Sequence, residues 1–253
     1  VRQKKTFQFR QWNAEIGGDL NKSQVIYLIG RKYATILNSD AMGKSIQGAG
    51  GALVLGAVFE SIIQRTLQSK TTSTMKPEVW LKRAFTEIRS VFASFDGSMM
   101  VSMILALVDA ESGELFFINA EHPFLVLYRD GVASFLDREI FLYKPGSPKV
   151  GDTGERIVIH HRRLLPGDVI ISGSDGRDDV LLTEAVVGDV ERYAFGSNQL
   201  IEDGGVRNED ETAFLKRVEE GQGDLNRIYD AICEKGSLTD DLSLLRLAYR
   251  PEG

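Results

Sequence analysis

The apolar residues of this chain change their spacing several times, and each change marks an element. From Leu81 through Phe85, Ile88 and Phe92 to Phe95 they recur at intervals of four and three, the stripe of an amphipathic helix, with Pro77 suited to its first turn. Before it, Gly43 to about Ser69 carries apolar residues all round its middle (Leu53, Val54, Leu55, Val58, Phe59, Ile62 and Ile63), which predicts a buried helix. Thr71 to Met75 reads as the linker between the two. Short apolar runs bounded by turn formers read as strands. They are Phe7 to Trp12, Val25 to Ile29, Tyr33 to Leu37, Met99 to Val108, Glu114 to Asn119, Phe124 to Tyr128, Val132 to Leu136, Arg156 to His161, Asp168 to Ser172 and Leu242 to Tyr249. Gly30, Asp109-Ala-Glu-Ser-Gly113, Arg129-Asp-Gly131 and Pro166-Gly167 supply the turns between neighbouring runs. The polar stretch Gly196 to Glu211, with three glycines, reads as a loop, and two short helices follow near Glu211 to Glu220 and Leu225 to Cys233.

Strands, a helix pair, a long series of strands and then more helices do not alternate as a doubly wound parallel sheet requires. The order predicts an α+β domain of antiparallel sheets. No repeat, low-complexity tract or compositional break divides it, so residues 1–253 read as a single domain. The N-terminal Val-Arg-Gln-Lys-Lys lacks both an initiator Met and an apolar signal region, which suggests a piece of a longer protein.

Composition removes several function classes. A net charge of −6 argues against nucleic acid as the main partner, because phosphate backbones reward basic patches. A lone cysteine, Cys233, allows no internal disulfide and no Cys/His zinc cluster, which fits a reducing, cytoplasmic setting. The longest apolar run, Met99 to Val108, is broken by Ser102 and is too short to span a bilayer, so no membrane contact is expected of this segment.

The acidic residues change the picture further. Asp19 follows Gly17-Gly18; Asp40 ends the strand begun at Tyr33; Asp175 ends the strand begun at Asp168 and precedes Gly176; Asp240, with Asp241 beside it, opens the last strand. Each lies where a strand meets a turn, so one end of a sheet core could gather all four. Hard divalent cations take such oxygen ligands, and a two-metal site clamps a phosphoryl group while lowering the pKa of a bridging water. An aspartate at a strand end is equally a turn former or a helix cap. Spacing alone leaves the two readings level.

Five motifs in order tip the balance: Ile16-Gly17-Gly18-Asp19; Asn38-Ser39-Asp40-Ala41-Met42-Gly43-Lys44; Asn119-Ala120-Glu121-His122-Pro123; Leu165-Pro166-Gly167-Asp168 followed by Ser174-Asp175-Gly176; and Thr239-Asp240-Asp241-Leu242-Ser243. Together, from Phe7 to Leu247, they resemble the stage II sporulation protein E (SpoIIE) branch of the type 2C, metal-dependent (PPM) protein serine/threonine phosphatases. The resemblance implies a four-layer α-β-β-α sandwich of two stacked antiparallel sheets flanked by helices. It implies two Mn2+ or Mg2+ ions held by Asp19, Asp40, Asp175 and Asp240 and by the backbone carbonyl of Ala41, with Asp241 the lesser member of its pair. The implied substrate is phosphoserine or phosphothreonine on a signalling protein, such as an antagonist of an anti-sigma factor. The implied partners are an upstream sensor domain and a second copy of the chain. The alternative is a catalytically weak domain that acts by binding its partner. Lys22 stands where a second aspartate often follows Gly-Gly-Asp, and Glu121 stands where the histidine motif has glycine.

Other residues invite competing readings. Gly43-Lys44-Ser45 ends like a P-loop, but Asn38 occupies the position of its first glycine. Gly48-x-Gly50 lacks the third glycine of a dinucleotide fingerprint, since Leu53 is there. Lys44 reads as a solvated lysine in the first helical turn, or as a contact for substrate phosphate. His122 reads as a hydrogen-bonded structural residue, His160 and His161 as opposite faces of one strand, and Asp178-Asp179 as a helix start. Gly48, Gly50 and Gly51 make the first helix either easy to distort, as a switch held by dimerisation would be, or able to pack closely on a sheet.

Overall fold

The computed structural model describes residues 5–9, 12–42, 46–69, 74–139, 142–148, 156–182, 201–202, 205–208, 210 and 212–251. Gly43, Lys44 and Ser45 lie outside them. A hairpin of β1 (Lys5–Phe9) and β2 (Trp12–Ile16) opens the chain, where the sequence predicted one strand. The larger sheet runs β10 (His160–Arg163), β7 (Glu114–Ala120), β6 (Met100–Asp109), β5 (Arg31–Met42) and β3 (Asp19–Lys22), with β4 (Val25–Leu28) pairing the first part of β5. All these pairs are antiparallel.

Period-two alternation gives this sheet two apolar faces. Leu37, Met103, Leu105, Leu107, Phe116 and Ile118 point to the helices α1 (Ile46–Gln68) and α2 (Pro77–Ala93), where Phe59, Ile63, Phe85, Ile88 and Phe92 complete a core. Ile36, Ile104, Ala106, Val108, Leu115 and Phe117 point the other way and meet Leu125, Leu127, Ile170, Leu245 and Leu247. Those last residues belong to or adjoin a second antiparallel sheet, ordered β16 (Leu244–Ala248), β11 (Val169–Gly173), β8 (Val126–Arg129) and β9 (Val132–Phe135). Its outer face, with Val126, Val169 and Ile171, packs on Phe214, Val218, Ile228 and Ile232 of α3 (Ala213–Glu220) and α4 (Leu225–Cys233). Three apolar layers between helices, sheet, sheet and helices are consistent with the expected α-β-β-α sandwich.

Several local expectations are corrected. α1 is not buried all round: Leu55, Phe59 and Ile63 are fully buried, whereas Leu53 is 76% exposed and Leu67 49%. A helix resting on a sheet buries one side only. The predicted loop from Gly196 contains β13 (Ile201–Glu202) and β14 (Gly205–Arg207). These join β12 (Val180–Leu182) and β15 (Gly236–Leu238) in a small antiparallel sheet. Asp178-Asp179 starts no helix; Asp175–Arg177 form a single 3-10 turn, and β12 follows. No helix among the described residues is long and apolar enough to cross a membrane.

Candidate active site

The aspartates meet where the two sheets end side by side. Asp19 opens β3 and is the register partner of Asp40 on β5. On the other sheet, Gly173 of β11 pairs with Leu244 of β16, so the turn beginning at Asp175 lies beside the Asp240-Asp241 segment leading into β16. Ser174 stitches the two ends together. Its N–H donates to Ser243 O (3.0 Å) and its Oγ donates to Asp19 Oδ2 (2.7 Å), while Ser243 N–H donates to Ser174 Oγ (3.0 Å).

The Gly17-Gly18 turn explains its own sequence. A Cβ on Gly18 would lie 2.5 Å from Ala41 O and 3.0 Å from Asp40 Oδ1, and one on Gly17 would lie 2.2 Å from Asp241 Oδ2. Side chains there would occupy the space in which the carboxylates and the Ala41 carbonyl converge. Gly18 N–H donates to Asp241 Oδ2 (3.1 Å), and Ala41 N–H donates to Gly18 O (3.1 Å). Asp241 is 9% exposed and tied to this turn, whereas Asp240 is exposed and accepts the Asp241 N–H through Oδ1 (2.8 Å).

Confinement of like charges shows in the acidities. Burial, then the charges of Asp40, Asp241 and Asp175, push the Asp19 carboxyl up to about 8 against the lowering hydrogen bond from Ser174. Asp40 is pushed up to about 7 by burial, then by Asp175 and Asp240, with Lys144 opposing and Asp241 adding a smaller push. Asp175 is raised by burial and by Asp179 and Asp240, again opposed by Lys144. Asp19 Oδ1 is buried without a hydrogen-bond partner among the described residues. Among the described residues no three carboxylate, imidazole or thiolate groups are drawn together tightly enough to hold a cation as they stand. The orphaned oxygen, the side-chain-free cradle and the all-oxygen donor set fit hard divalent ions. Asp19, Asp40, Asp175 and Asp240 and the Ala41 carbonyl thus converge on one end of the sheets, with Asp241 beside them.

Beneath the acids lies a polar network that the sequence did not expose. Asn21 Nδ2 donates to Leu244 O (3.2 Å), which turns Asn21 Oδ1 toward Asn38 Nδ2 (2.6 Å). Asn38 Oδ1 therefore faces His122 Nε2 (2.8 Å) and also accepts from Ser172 Oγ (2.8 Å), while Asn38 Nδ2 reaches Ser243 Oγ (2.9 Å). This orientation places the imidazole proton on Nε2 and leaves Nδ1 to accept from Ser102 Oγ (2.8 Å). Burial, then the charges of Arg177 and Lys144, hold His122 down at about 3, so it stays neutral and structural. Asn119 closes its own turn by exchanging two 2.8 Å bonds with the His122 backbone. The signal available in the sequence was that Asn38, Ser174 and Ser243 flank the aspartates in the motifs. Outside the site, His160 is buried and stacks on Phe117, while His161 is exposed and stacks on Phe116. Asp168 ties its turn together by accepting from Arg129 (2.7 and 2.6 Å) and from Leu165 N–H (2.7 Å).

The family model described as Stage II sporulation protein E (SpoIIE) matches residues 30–250. No curated protein matches the chain in sequence. Among solved structures, the RsbU and RsbW domains of Rv1364c from Mycobacterium tuberculosis superpose with a TM-score of 0.61 at 16% identity, covering 95% of this chain and 58% of that one. The SiaA-PP2C domain of Pseudomonas aeruginosa gives 0.61 at 16% identity, covering 92% and 81%. The catalytic domain of the serine threonine protein phosphatase PstP, in complex with two manganese ions, gives 0.54 at 12% identity, covering 96% and 94%. At these identities the superpositions show a shared fold.

Proposed function

The chain belongs to the SpoIIE family, and on that premise we propose that it is a metal-dependent protein serine/threonine phosphatase. The observation that carries this reading is the meeting of acids from two sheets. Asp19 and Asp40, in register on one, are joined through Ser174 to the turn at Asp175 and to Asp240-Asp241 on the other, with a buried oxygen of Asp19 left unpartnered. Asp19, Asp40, Asp175, Asp240 and the Ala41 carbonyl are the groups that would hold two Mn2+ or Mg2+ ions. When bound, such ions offset phosphate charge and generate hydroxide from water near neutral pH. The chain's own contribution is to converge the carboxylates and keep Gly17-Gly18 bare. Its buried network also locks the strand carrying Asp40 against β11. No side chain needs to form a covalent bond with phosphate, and His122, buried and neutral, moves no proton.

We infer that the substrate is phosphoserine or phosphothreonine on a folded signalling protein, an antagonist of an anti-sigma factor being the class the resemblance implies. A solved protein of this fold carries an RsbU domain together with an RsbW domain. The test is Mn2+-dependent hydrolysis of a phosphoserine protein alongside Mn2+ binding by calorimetry. Asp40→Asn and Asp175→Asn are expected to lower turnover about a hundredfold or more and to weaken Mn2+ binding, with circular dichroism unchanged. Near-normal turnover in both variants would sink the reading.

A further inference from the structure

A phosphomonoester approaching this site brings two negative charges toward Asp19, Asp40, Asp175, Asp240 and Asp241, in a chain whose net charge is −6. A positive side chain facing the approaching phosphate would add to the charge that bound metal offsets. The described residues offer one with an unusual mounting. Lys144 lies on the segment after Leu142, and three contacts fasten that segment to the site end of the larger sheet. Leu142 bridges Ala120 at the end of β7. Val101 N–H at the start of β6 donates to Pro145 O (3.1 Å). Lys144 N–H donates to Glu121 Oε2 (3.1 Å). The Lys144 ammonium sits 3.3 Å from Met42 Sδ, and Met42 directly follows Ala41 on β5. A thioether neutralises nothing, and Lys144 has no ion-pair partner among the described residues. Its charge is the cation that both Asp40 and Asp175 feel.

Glu121 is the second observation. Its backbone is left-handed, with φ 47°, a region that glycine enters freely and a branched or long side chain enters at a cost. Glycine is the residue the motif carries there, yet this chain keeps glutamate and uses its carboxylate on the Lys144 backbone. A strained residue with a directed contact beside a site is the pattern expected of a functional constraint.

We propose that Lys144 binds the substrate's phosphate and that Glu121 is the positioning residue that holds it there. The inference rests on the phosphatase reading and names the side chains that would receive its substrate.

The experiment compares Lys144→Met, Lys144→Arg, Glu121→Gly and the double variant Glu121→Gly/Lys144→Met with the parent chain. The readouts are KM and kcat on a phosphoserine protein with Mn2+, the affinity of Mn2+-treated protein for inorganic phosphate, and Tm. Lys144→Met is expected to raise KM and weaken phosphate binding about tenfold, and Lys144→Arg to restore most of both. Glu121→Gly is expected to raise KM less, while leaving Tm unchanged or raising it by about 2 °C as the backbone strain is relieved. The double variant is expected to be no worse than Lys144→Met alone, because the tether acts only through the lysine. Unchanged KM and phosphate affinity in Lys144→Met overturn the assignment of the lysine. A fall in Tm with unchanged KM in Glu121→Gly overturns that of the glutamate. A parent chain that hydrolyses nothing defeats the phosphatase reading on its own, and the Lys144 assignment is then decided by phosphate affinity alone.

Discussion

Asp19 carries the sharpest conflict at the level of single residues. One oxygen accepts from Ser174 at 2.7 Å, the other is buried without a partner, and the carboxyl is pushed up to about 8 by burial and by three neighbouring aspartates. An unfolded aspartate ionises near 4. Between those values the folded chain holds a proton that the unfolded chain has released, so stability without metal is present below about pH 4 and is lost as pH rises toward 8. Asp40, pushed up to about 7, acts in the same direction. Thermal melts in a chelator are therefore expected to show Tm falling from pH 5 to 8, and added Mn2+ to restore it most at the high end. Asp19→Asn should flatten the chelator profile and shrink the Mn2+ gain. A Tm that rises with pH in chelator would contradict this account.

Elements decide whether those residues stay in place, and α1 is the one most directly coupled to them. A Cβ on Gly51 would lie 2.7 Å from the Ala41 Cβ and 3.5 Å from Met99 Cγ, so this glycine lets the helix rest against the strand that ends in Asp40 and Ala41. Close packing accounts for Gly51, and the same contact makes α1 a lever on the Ala41 carbonyl. Metal sites tolerate little ligand displacement. Gly51→Ala is expected to favour the isolated helix by about 1 kcal/mol yet weaken Mn2+ binding about tenfold by calorimetry. Gly50→Ala meets only Met99 Cε at 3.5 Å and should leave Mn2+ affinity within about twofold. Equal affinities in the two variants would reduce α1 to a scaffold.

Sequence pattern recovered the elements with strong periods and missed those without. The α2 stripe through Phe85, Ile88 and Phe92 is visible because burial of one face imposes its period, and β6 and β7 are visible as continuous apolar runs because both their faces are buried. β3 escaped because Asp19-Leu-Asn-Lys22 has one apolar residue; it is a strand by virtue of pairing with β5. β12 and β15 escaped for a similar reason, being three residues each and held by one another. Asp19, Asp40, Asp175 and Asp240 could be picked out as a group because their motifs flank strands. Lys144 and the Asn38–His122 contact could not, since only the fold brings residues 84 positions apart to within 2.8 Å.

Across the whole molecule, the two sheets are joined by two unlike materials. Ile36, Ile104, Phe117, Leu127, Ile170 and Leu247 form an apolar layer between them. At the end that carries Asp19, Asp40, Asp175 and Asp240, the junction is instead the hydrogen-bonded set Asn21, Asn38, Ser172, Ser174 and Ser243, overlaid by carboxylates that repel one another. The apolar layer needs no metal, whereas under the proposed two-metal reading the acidic end lacks its counter-charge without it, so metal removal should loosen one end of the sandwich selectively. Hydrogen exchange in chelator against Mn2+ is expected to speed the amides of Leu20 and Asn21 in β3, of Gly176 and Arg177, and of Asp241 to Ser243. Amides in the middle of β6 and β7, such as Leu105 and Phe117, should keep their protection. The Asn38→Ala variant, which strips partners from His122, Ser172 and Ser243 at once, should cost about 2–4 kcal/mol and reproduce that pattern even with Mn2+ present. Uniform loss of protection across both sheets on chelation would show instead that the metal end and the apolar layer unfold as one unit.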